Sequence, residues 1–96
     1  MKTDNSHNTW LLEQLKDTDF AADFLNAASE DDDPGTYLLA LRKIVDARGG
    51  IAIVSEKTAL SRETLYRTLS KRGNPTIKTL STILKATGLK IAVAAS

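Results

Sequence analysis

The chain has 96 residues, enough for one small domain, and its 42% hydrophobic and 26% charged residues are ordinary for a soluble protein. It contains no cysteine, which excludes a disulfide framework and any metal site built on thiolates. The net charge is only +1, but residues 1–37 carry −7 and residues 38–96 carry +8. The basic part offers an electrostatic footprint for phosphate, although the two parts also attract each other within one fold.

No segment is apolar enough for a targeting signal or a membrane span. The first ten residues are polar, and the longest unbroken apolar runs, Tyr37–Leu41 and Ile91–Ala95, have five residues each. We therefore expect a cytoplasmic protein without a membrane partner.

The amino-terminal part predicts a tail followed by two helices. Residues 1–8 are expected to form a disordered tail. A short helix is expected over 9–16, and apolar residues at helical spacing predict a second one over 19–30. Asp17 or Thr18 is the expected cap of the second helix.

A third helix is predicted over 34–48. Asp33 followed by Pro34 is a signature of a helix start, and Gly49-Gly50 is a stop signal. The side chains expected to be buried recur at helical spacing and are Leu38, Leu41, Ile44 and Val45.

Residues 51–71 predict two short helices joined by a tight turn. The first is expected over 51–58 and the second over 61–71, with Ser61 as its cap. After a loop, a closing helix over 76–87 is expected to bury Ile77, Leu80, Ile83 and Leu84.

The helix over 61–71 separates a packing face from a cationic face. Leu65 and Leu69 lie four residues apart and suit packing on Val54 and Leu60. The side chains that face outward are Arg62, Glu63, Tyr66, Arg67 and Ser70, with Thr64 at the boundary. One interpretation is a recognition helix in the major groove of DNA; the other is an amphipathic helix of a bundle with a solvated basic face. The order of helix, turn, serine cap, basic helix, loop and closing helix favours DNA.

Each outward residue type suits a contact with DNA. Arginine offers a bidentate fork to guanine, and Glu63 either accepts from cytosine or orients the arginine four residues later. Thr64 and Tyr66 donate to phosphates or meet a thymine methyl group. Lys71 and Arg72 suit backbone contacts, which position the protein without reading sequence.

The carboxyl-terminal residues 89–93 predict a short β-strand. Leu89, Ile91 and Val93 alternate with period two, and this sequence offers no second strand. Because a lone strand cannot satisfy its own backbone groups, we expect antiparallel pairing with the same segment of a second copy. The alternative is a loosely packed tail.

Two stretches resemble a known family over about residues 10–93. They read TALSRETLYRTLSKRGNPTIKTLSTILKATGL and WLLEQLKDTDFAADFLNAASEDDDPGTYLLALRKIVDARGG. Both closely resemble the addiction-module antidote proteins, a HigA-like antitoxin group within the lambda-repressor-like helix-turn-helix superfamily. The run LSRETLYRTLS followed by GNP is fairly specific to that group, whereas a helix-turn-helix pattern alone is not.

The resemblance implies a fold, a DNA target and a protein partner. The fold is all-α, a five- to six-helix lambda-repressor-like helix-turn-helix domain, here with a short β-strand that pairs across a homodimer. The implied function is an antitoxin that neutralises a RelE-like toxin and represses its own promoter at double-stranded operator DNA with inverted half-sites. The implied DNA contacts are Arg62, Glu63, Thr64, Tyr66 and Arg67, flanked by Ser61 and Lys71.

On this interpretation the chain divides into four parts. Residues 1–8 are the tail, and residues 9–48 are acidic helices that pack on the domain and contact the toxin. Residues 49–88 are the DNA-binding core, and residues 89–96 are the dimer strand.

The chain departs from the family pattern at three positions. Ala59 stands at the turn position usually held by glycine, where a left-handed conformation costs alanine roughly 1 kcal/mol. Ala52 and Ile53 stand where polar residues are usual, so phosphate contacts from that helix start are expected to be weaker.

An acidic run, Asp31, Asp32 and Asp33 beside Glu30, has two interpretations. It lacks the alternating spacing of a calcium loop, so we expect no metal there. It is either a solvated turn at a helix start or, through the resemblance, a surface that meets a cationic nuclease toxin.

Three functions remain open at this stage, and none is an enzyme. They are the antitoxin, a stand-alone prophage-type repressor without a toxin, and a protein-interaction module that has lost DNA binding. The chain has one histidine, in the tail, and no carboxylate pair in a recognisable acid–base setting, so we expect no catalysis and no cofactor.

Overall fold

The computed structural model describes residues 2–93 and Ala95, with side chains from Ser6 onward. Within that part of the chain six α-helices follow one another: α1 Lys2–Gln14, α2 Thr18–Ala28, α3 Pro34–Ala47, α4 Gly50–Thr58, α5 Arg62–Thr68 and α6 Ile77–Ala86. The all-α prediction is confirmed over these residues. None of the six helices is long and apolar enough to cross a membrane.

Helices α3 and α4 form the centre of the molecule. Helix α3 packs against α1, α2 and α4, while α4 also packs against α5 and α6. The two central helices meet at Gly49 and Gly50, whose φ values of +116° and +86° lie in the region that glycine adopts without strain. The buried stripe predicted for α3 is confirmed, since its four members are all in the core: Leu38, Leu41, Ile44 and Val45.

Two aspartates cap the helices of the acidic part. Asp17 Oδ1 accepts from the N–H groups of Asp19 at 2.8 Å and Phe20 at 3.2 Å, so Asp17, not Thr18, is the cap of α2. Asp33 Oδ1 accepts from Gly35 N–H at 2.8 Å and caps α3, as predicted. A capping carboxylate satisfies amide donors that the first turn of a helix leaves unpaired.

Helix α1 starts much earlier than the sequence predicts. The expected disordered tail over 1–8 is helical from Lys2 onward, and Met1 lies outside the described residues. Contacts with residues further along the chain hold this segment: Lys43 Nζ donates to Asn8 Oδ1 at 2.8 Å, and the ring of His7 stacks on Trp10 at a centroid distance of 6.1 Å. The partner Lys43 lies 35 residues away in the chain, so the local sequence of the tail does not indicate this contact.

Three of the four residues predicted to face inward from α6 pack on the core, but the fourth, its first residue, does not. Ile83 and Leu84 are fully buried and Leu80 is half-buried against the core. Ile77 was expected to face inward and is 72% exposed, because it is the first residue of α6 and precedes the turn that meets the core.

No β-strand is seen among residues 89–93, contrary to the prediction. Leu89 packs against the core and its N–H donates to the carbonyl of Leu84 at 2.9 Å. Beyond it, Ile91 is exposed and Val93 is 94% exposed. A single chain supplies no second strand for these residues, so the ladder hydrogen bonds of a strand cannot form within it.

One arginine connects four helices. Arg48 is the C-cap residue of α3. Its guanidinium donates to the carbonyls of Leu15 at 3.3 Å and Lys16 at 2.8 Å after α1, to the carbonyl of Thr87 at 2.8 Å after α6, and to Thr18 Oγ1 at 3.0 Å at the start of α2. These carbonyls lie where helices leave acceptors without an intrahelical partner, and the five donors of arginine match them.

Replacing this arginine should destabilise the fold. Arg48→Met removes the donors and should lower the free energy of unfolding by roughly 1–3 kcal/mol, because part-buried carbonyls lose charge-assisted hydrogen bonds. Urea denaturation measures the change. Arg62→Met, at an exposed arginine of α5, is the matched control and should stay within about 0.5 kcal/mol of the wild type; equal losses in both variants would contradict this role.

Candidate nucleic-acid interface

Helices α4 and α5 are joined by three residues, Ala59-Leu60-Ser61, and together form what we term the α4–α5 unit. Ala59 has φ 64° and ψ 11°, and its N–H donates to the carbonyl of Ser55 at 3.0 Å. It is the only non-glycine residue with positive φ in the described part of the chain. The left-handed conformation considered for Ala59 from the sequence is therefore present.

Two hydroxyl side chains of α4 hold this turn. Ser55 Oγ donates to the carbonyl of Leu60. Thr58 Oγ1 donates to the carbonyl of Val54 at 2.7 Å and accepts from Leu60 N–H at 3.1 Å. Side-chain bonds of this kind replace the helical ladder where the chain turns, which helps alanine to remain left-handed there.

Helix α5 is capped at one end and anchored along one face. Ser61 Oγ accepts from Thr64 N–H at 3.0 Å and also donates to Thr64 Oγ1 at 2.8 Å. Leu65 and Leu69 are buried in the core with Val54. The predicted cap and packing face are both confirmed.

The opposite face of α5 brings the predicted DNA-contacting residues onto one surface. Arg62, Glu63, Tyr66 and Arg67 are exposed and Thr64 is half-buried. We call these five residues, together with Ser70, Lys71 and Arg72 of the following turn, the α5 surface. It contains four arginine or lysine side chains and a single acidic residue.

Helix α5 is shorter than predicted, because it ends at Thr68 instead of residue 71. Ser70, Lys71 and Arg72 lie in a turn, in which Gly73 N–H donates to the carbonyl of Ser70 at 3.0 Å. Gly73 passes so close to the end of α5 that a Cβ there would lie 2.0 Å from the carbonyl oxygen of Thr68. The chain therefore reverses where only glycine fits.

A groove of about 420 Å³ separates α5 from the start of α6. Thr64, Arg67 and Arg72 line it on the α5 side, with Thr76 and Thr79 on the α6 side. Thr76 caps α6, since its Oγ1 accepts from Thr79 N–H at 3.1 Å. Two arginines thus line a groove next to the positive end of a helix, an arrangement that attracts anions.

The acidic run lies beside the basic end of the α5 surface. Asp31 Oδ1 accepts from Asp33 N–H at 2.8 Å, and Asp33 Oδ2 lies 3.7 Å from Lys71 Nζ. Asp32 is exposed. Backbone contact reinforces the ion pair, because a Cβ on Gly35 would lie 2.3 Å from the carbonyl oxygen of Lys71. Within the described residues no group of three or more His, Asp or Glu side chains is arranged to hold a metal.

One neighbour of α5 was not found from the sequence. The guanidinium of Arg42, on α3, lies 4.9 Å from the centroid of the Tyr66 ring, and its Nε donates to Asp46 Oδ1 at 3.1 Å. The spacing of four residues between Arg42 and Asp46 was the only available signal, and it does not reveal Tyr66 as a partner.

The start of α4 is apolar, as the sequence indicates. Ala52 is half-buried and Ile53 is exposed, and neither side chain carries a hydrogen-bond donor at this end of the unit.

Comparison with known proteins decides the family. A family model described as "Probable addiction module antidote protein" matches residues 7–95. The chain belongs to this antidote family. An uncharacterised protein of Haemophilus influenzae is 35% identical over 92 residues, which cover 86% of this chain and 94% of that relative. No solved structure matches the antidote.

Family membership implies a protein partner. An antidote of an addiction module acts against a toxin, so a toxin of some kind is the implied partner of this chain. The part of the sequence that carries the resemblance includes the α4–α5 unit and the acidic run.

The strained turn predicts a stabilising substitution. Ala59→Gly should raise the free energy of unfolding by about 0.5–1 kcal/mol, because glycine adopts positive φ without a clash at Cβ. The control is Ala27→Gly on the exposed face of α2, which should lower it by about 0.5–1 kcal/mol. Urea denaturation compares the two, and a loss of stability at both positions would contradict the strain at Ala59.

Proposed function

We propose that this antidote neutralises a RelE-like toxin and represses its own promoter, as HigA-like antitoxins do, by using the α4–α5 unit as a helix-turn-helix. The observation that carries the proposal is the exposed cationic α5 surface on a helix that is capped by Ser61 and anchored by buried Leu65 and Leu69. A recognition helix needs this combination of a fixed inner face and a free outer face.

In the proposed complex α5 lies in the major groove. Arg67, in its last turn, reads guanine through two hydrogen bonds, and Glu63, one turn earlier on the same face, orients it or accepts from cytosine. Arg62, Thr64 and Tyr66 flank this pair and contact neighbouring base edges or phosphates.

The turn after α5 supplies contacts to the DNA backbone. Ser70, Lys71 and Arg72 lie beyond the helix, where they are placed to follow a phosphate strand. The groove that Arg67 and Arg72 border at the start of α6 suits a phosphate of the same strand. Contacts of this type fix the position of the protein on the duplex without reading its sequence.

A homodimer would place two copies of α5 on inverted half-sites. We propose that residues 89–93 pair with the same segment of a second copy and form the strand that one chain lacks. The exposure of Ile91 and Val93 supports this, because a partner would cover apolar side chains that one chain leaves in solvent. Leu89, packed on the core, would anchor the pairing segment to its domain. Half-sites about 34–36 Å apart then match one turn of DNA.

The toxin would meet the acidic part of the molecule. Asp31, Asp32 and Asp33 form a compact negative turn, and toxins that cut RNA must themselves attract phosphate. An acidic antidote surface would occupy the cationic site where RNA otherwise binds.

A different class of function has one observation in its favour. The apolar start of α4, with Ile53 exposed, weakens the phosphate contact expected there and suits a protein-interaction module without DNA binding. The cationic α5 surface opposes this second candidate. A stand-alone repressor without a toxin shares the DNA mechanism and differs only in its partner.

The DNA proposal predicts that two substitutions weaken DNA binding in different ways. Arg67→Ala should cost about 1–3 kcal/mol of binding to promoter DNA and relax the preference at one base. Lys71→Ala should weaken binding to all sequences alike and lower the slope of log affinity against log salt by about one. Fluorescence anisotropy on promoter and scrambled DNA, over a salt series, measures both.

Lys16→Ala removes an exposed cation outside both the α5 surface and the proposed dimer segment, and is the matched control, with unchanged binding expected. If Arg67→Ala lost the same affinity for promoter and scrambled DNA, Arg67 would contact phosphates and not a base. A wild-type protein without preference for promoter DNA would reject the repressor and favour the protein-interaction module.

The toxin proposal is tested with a charge change that preserves the fold. Because Asp31 and Asp33 accept backbone hydrogen bonds, the variant combines Asp31→Asn, Asp32→Lys and Asp33→Asn, which retains both acceptors. It should bind the toxin encoded beside it at least about ten-fold more weakly, since each rim charge contributes modestly, and it should still bind promoter DNA. Glu56→Lys, at an exposed carboxylate of α4 outside the acidic part, is the control, and unchanged toxin affinity in the triple variant, measured by calorimetry, would reject the acidic turn as the contact.

A further inference from the structure

Arg42 stands outside the α4–α5 unit but touches its DNA-facing side. Its guanidinium carbon lies 4.9 Å from the centre of the Tyr66 ring, a cation–π distance. Tyr66 belongs to α5 and is 51% exposed, whereas Arg42 belongs to α3. The contact therefore connects the central helix of the fold to an outward side chain of the α5 surface.

Asp46 fixes the guanidinium in this position. Its Oδ1 accepts from Arg42 Nε at 3.1 Å, one helical turn along α3. The bond uses only Nε, so the two Nη groups, which carry four of the five guanidinium donors, are not engaged by Asp46. The side chains of Arg42 and Asp46 are 32% and 38% exposed, so the pair is accessible to a ligand that approaches α5.

The side chain of Tyr66 is half exposed, so a neighbour that restrains its ring affects how the ring meets a ligand. Residues on the flank of a surface helix exchange rotamers freely, and a ring that must meet one base edge benefits from being held before binding. A cation stacked on one face of the ring limits its rotation and leaves the other parts of the ring for the ligand. Three residues from two helices thus form one unit, in the order Asp46, Arg42, Tyr66.

We propose that Arg42 is a positioning residue of the DNA interface, which holds the Tyr66 ring for base contact and donates through its Nη groups to a backbone phosphate. The proposal rests on the DNA-binding function proposed above and adds a specificity determinant on α3. Arg42 influences sequence preference only through Tyr66, while its charge contributes to affinity for any DNA.

A double-mutant cycle tests this division of roles. The variants are Arg42→Met, Tyr66→Leu and the double variant, with affinities for promoter and scrambled DNA of equal length measured by fluorescence anisotropy over a salt series. Arg42→Met should lower the promoter-to-scrambled affinity ratio about five-fold and reduce the salt slope by about one. The double variant should have the same ratio as Tyr66→Leu alone, because residues that act as a unit are not additive.

Arg42→Lys keeps the positive charge but cannot reproduce the Nε hydrogen bond to Asp46. It should therefore have the wild-type salt slope but a promoter-to-scrambled affinity ratio below that of the wild type. It also provides a folded comparison if Arg42→Met is unstable in a thermal melt. An unchanged ratio in the Arg42 variants, or additive losses in the cycle, would overturn the positioning role. A wild type without promoter preference would instead reject the DNA function itself, and the role of Arg42 with it.

Discussion

The side chain of Arg48 is the interaction on which the arrangement of helices depends. The cleft around it is lined by residues at or just after the carboxyl ends of α1, α3, α4 and α6, and Lys16, Lys57 and Lys85 stand at its rim. Helix ends of this kind carry partial negative charge, so several of them in one place repel one another unless cations and donors intervene. Arg48 bonds directly to carbonyls after two of these helices and fixes α3, from which α4 and then α5 take their positions.

The proposed recognition helix, α5, is too short to form by itself. Helix α5 has seven residues, fewer than an isolated helix needs in water. Its geometry comes from the serine cap, the hydroxyl bonds across the preceding turn, and two leucines inserted into the core. Loss of core stability would therefore remove the binding surface before any contact residue is altered. A rigid frame that presents a short helix also places little entropic cost on binding.

Local chemistry in the sequence was sufficient for the starts of α3, α5 and α6 and for the inner faces of α3 and α5. Asp33 before Pro34, Ser61 and Thr76 cap helices through hydrogen bonds that span only a few residues, and the core stripe of α3 follows from its periodicity. The missed features depend on partners distant in the chain. The end of α5 lies beside the backbone contact between Gly35 and Lys71, and the Arg48 and Arg42 interactions join separate helices. The strand predicted over 89–93 is not formed, because one chain offers it no ladder partner.

The two oxygens of Asp33 connect surfaces that are otherwise separate. Oδ1 caps α3, while Oδ2 faces Lys71 at the end of the α5 surface, and the backbone of Lys71 rests on Gly35 in the first turn of α3. The acidic run and the basic turn are therefore in direct contact. If a toxin engages Asp33 and DNA engages Lys71, as proposed, thermodynamic reciprocity requires each ligand to change the affinity of the other by the same factor. Because both ligands would break the same ion pair between Asp33 and Lys71, the coupling would favour their joint binding.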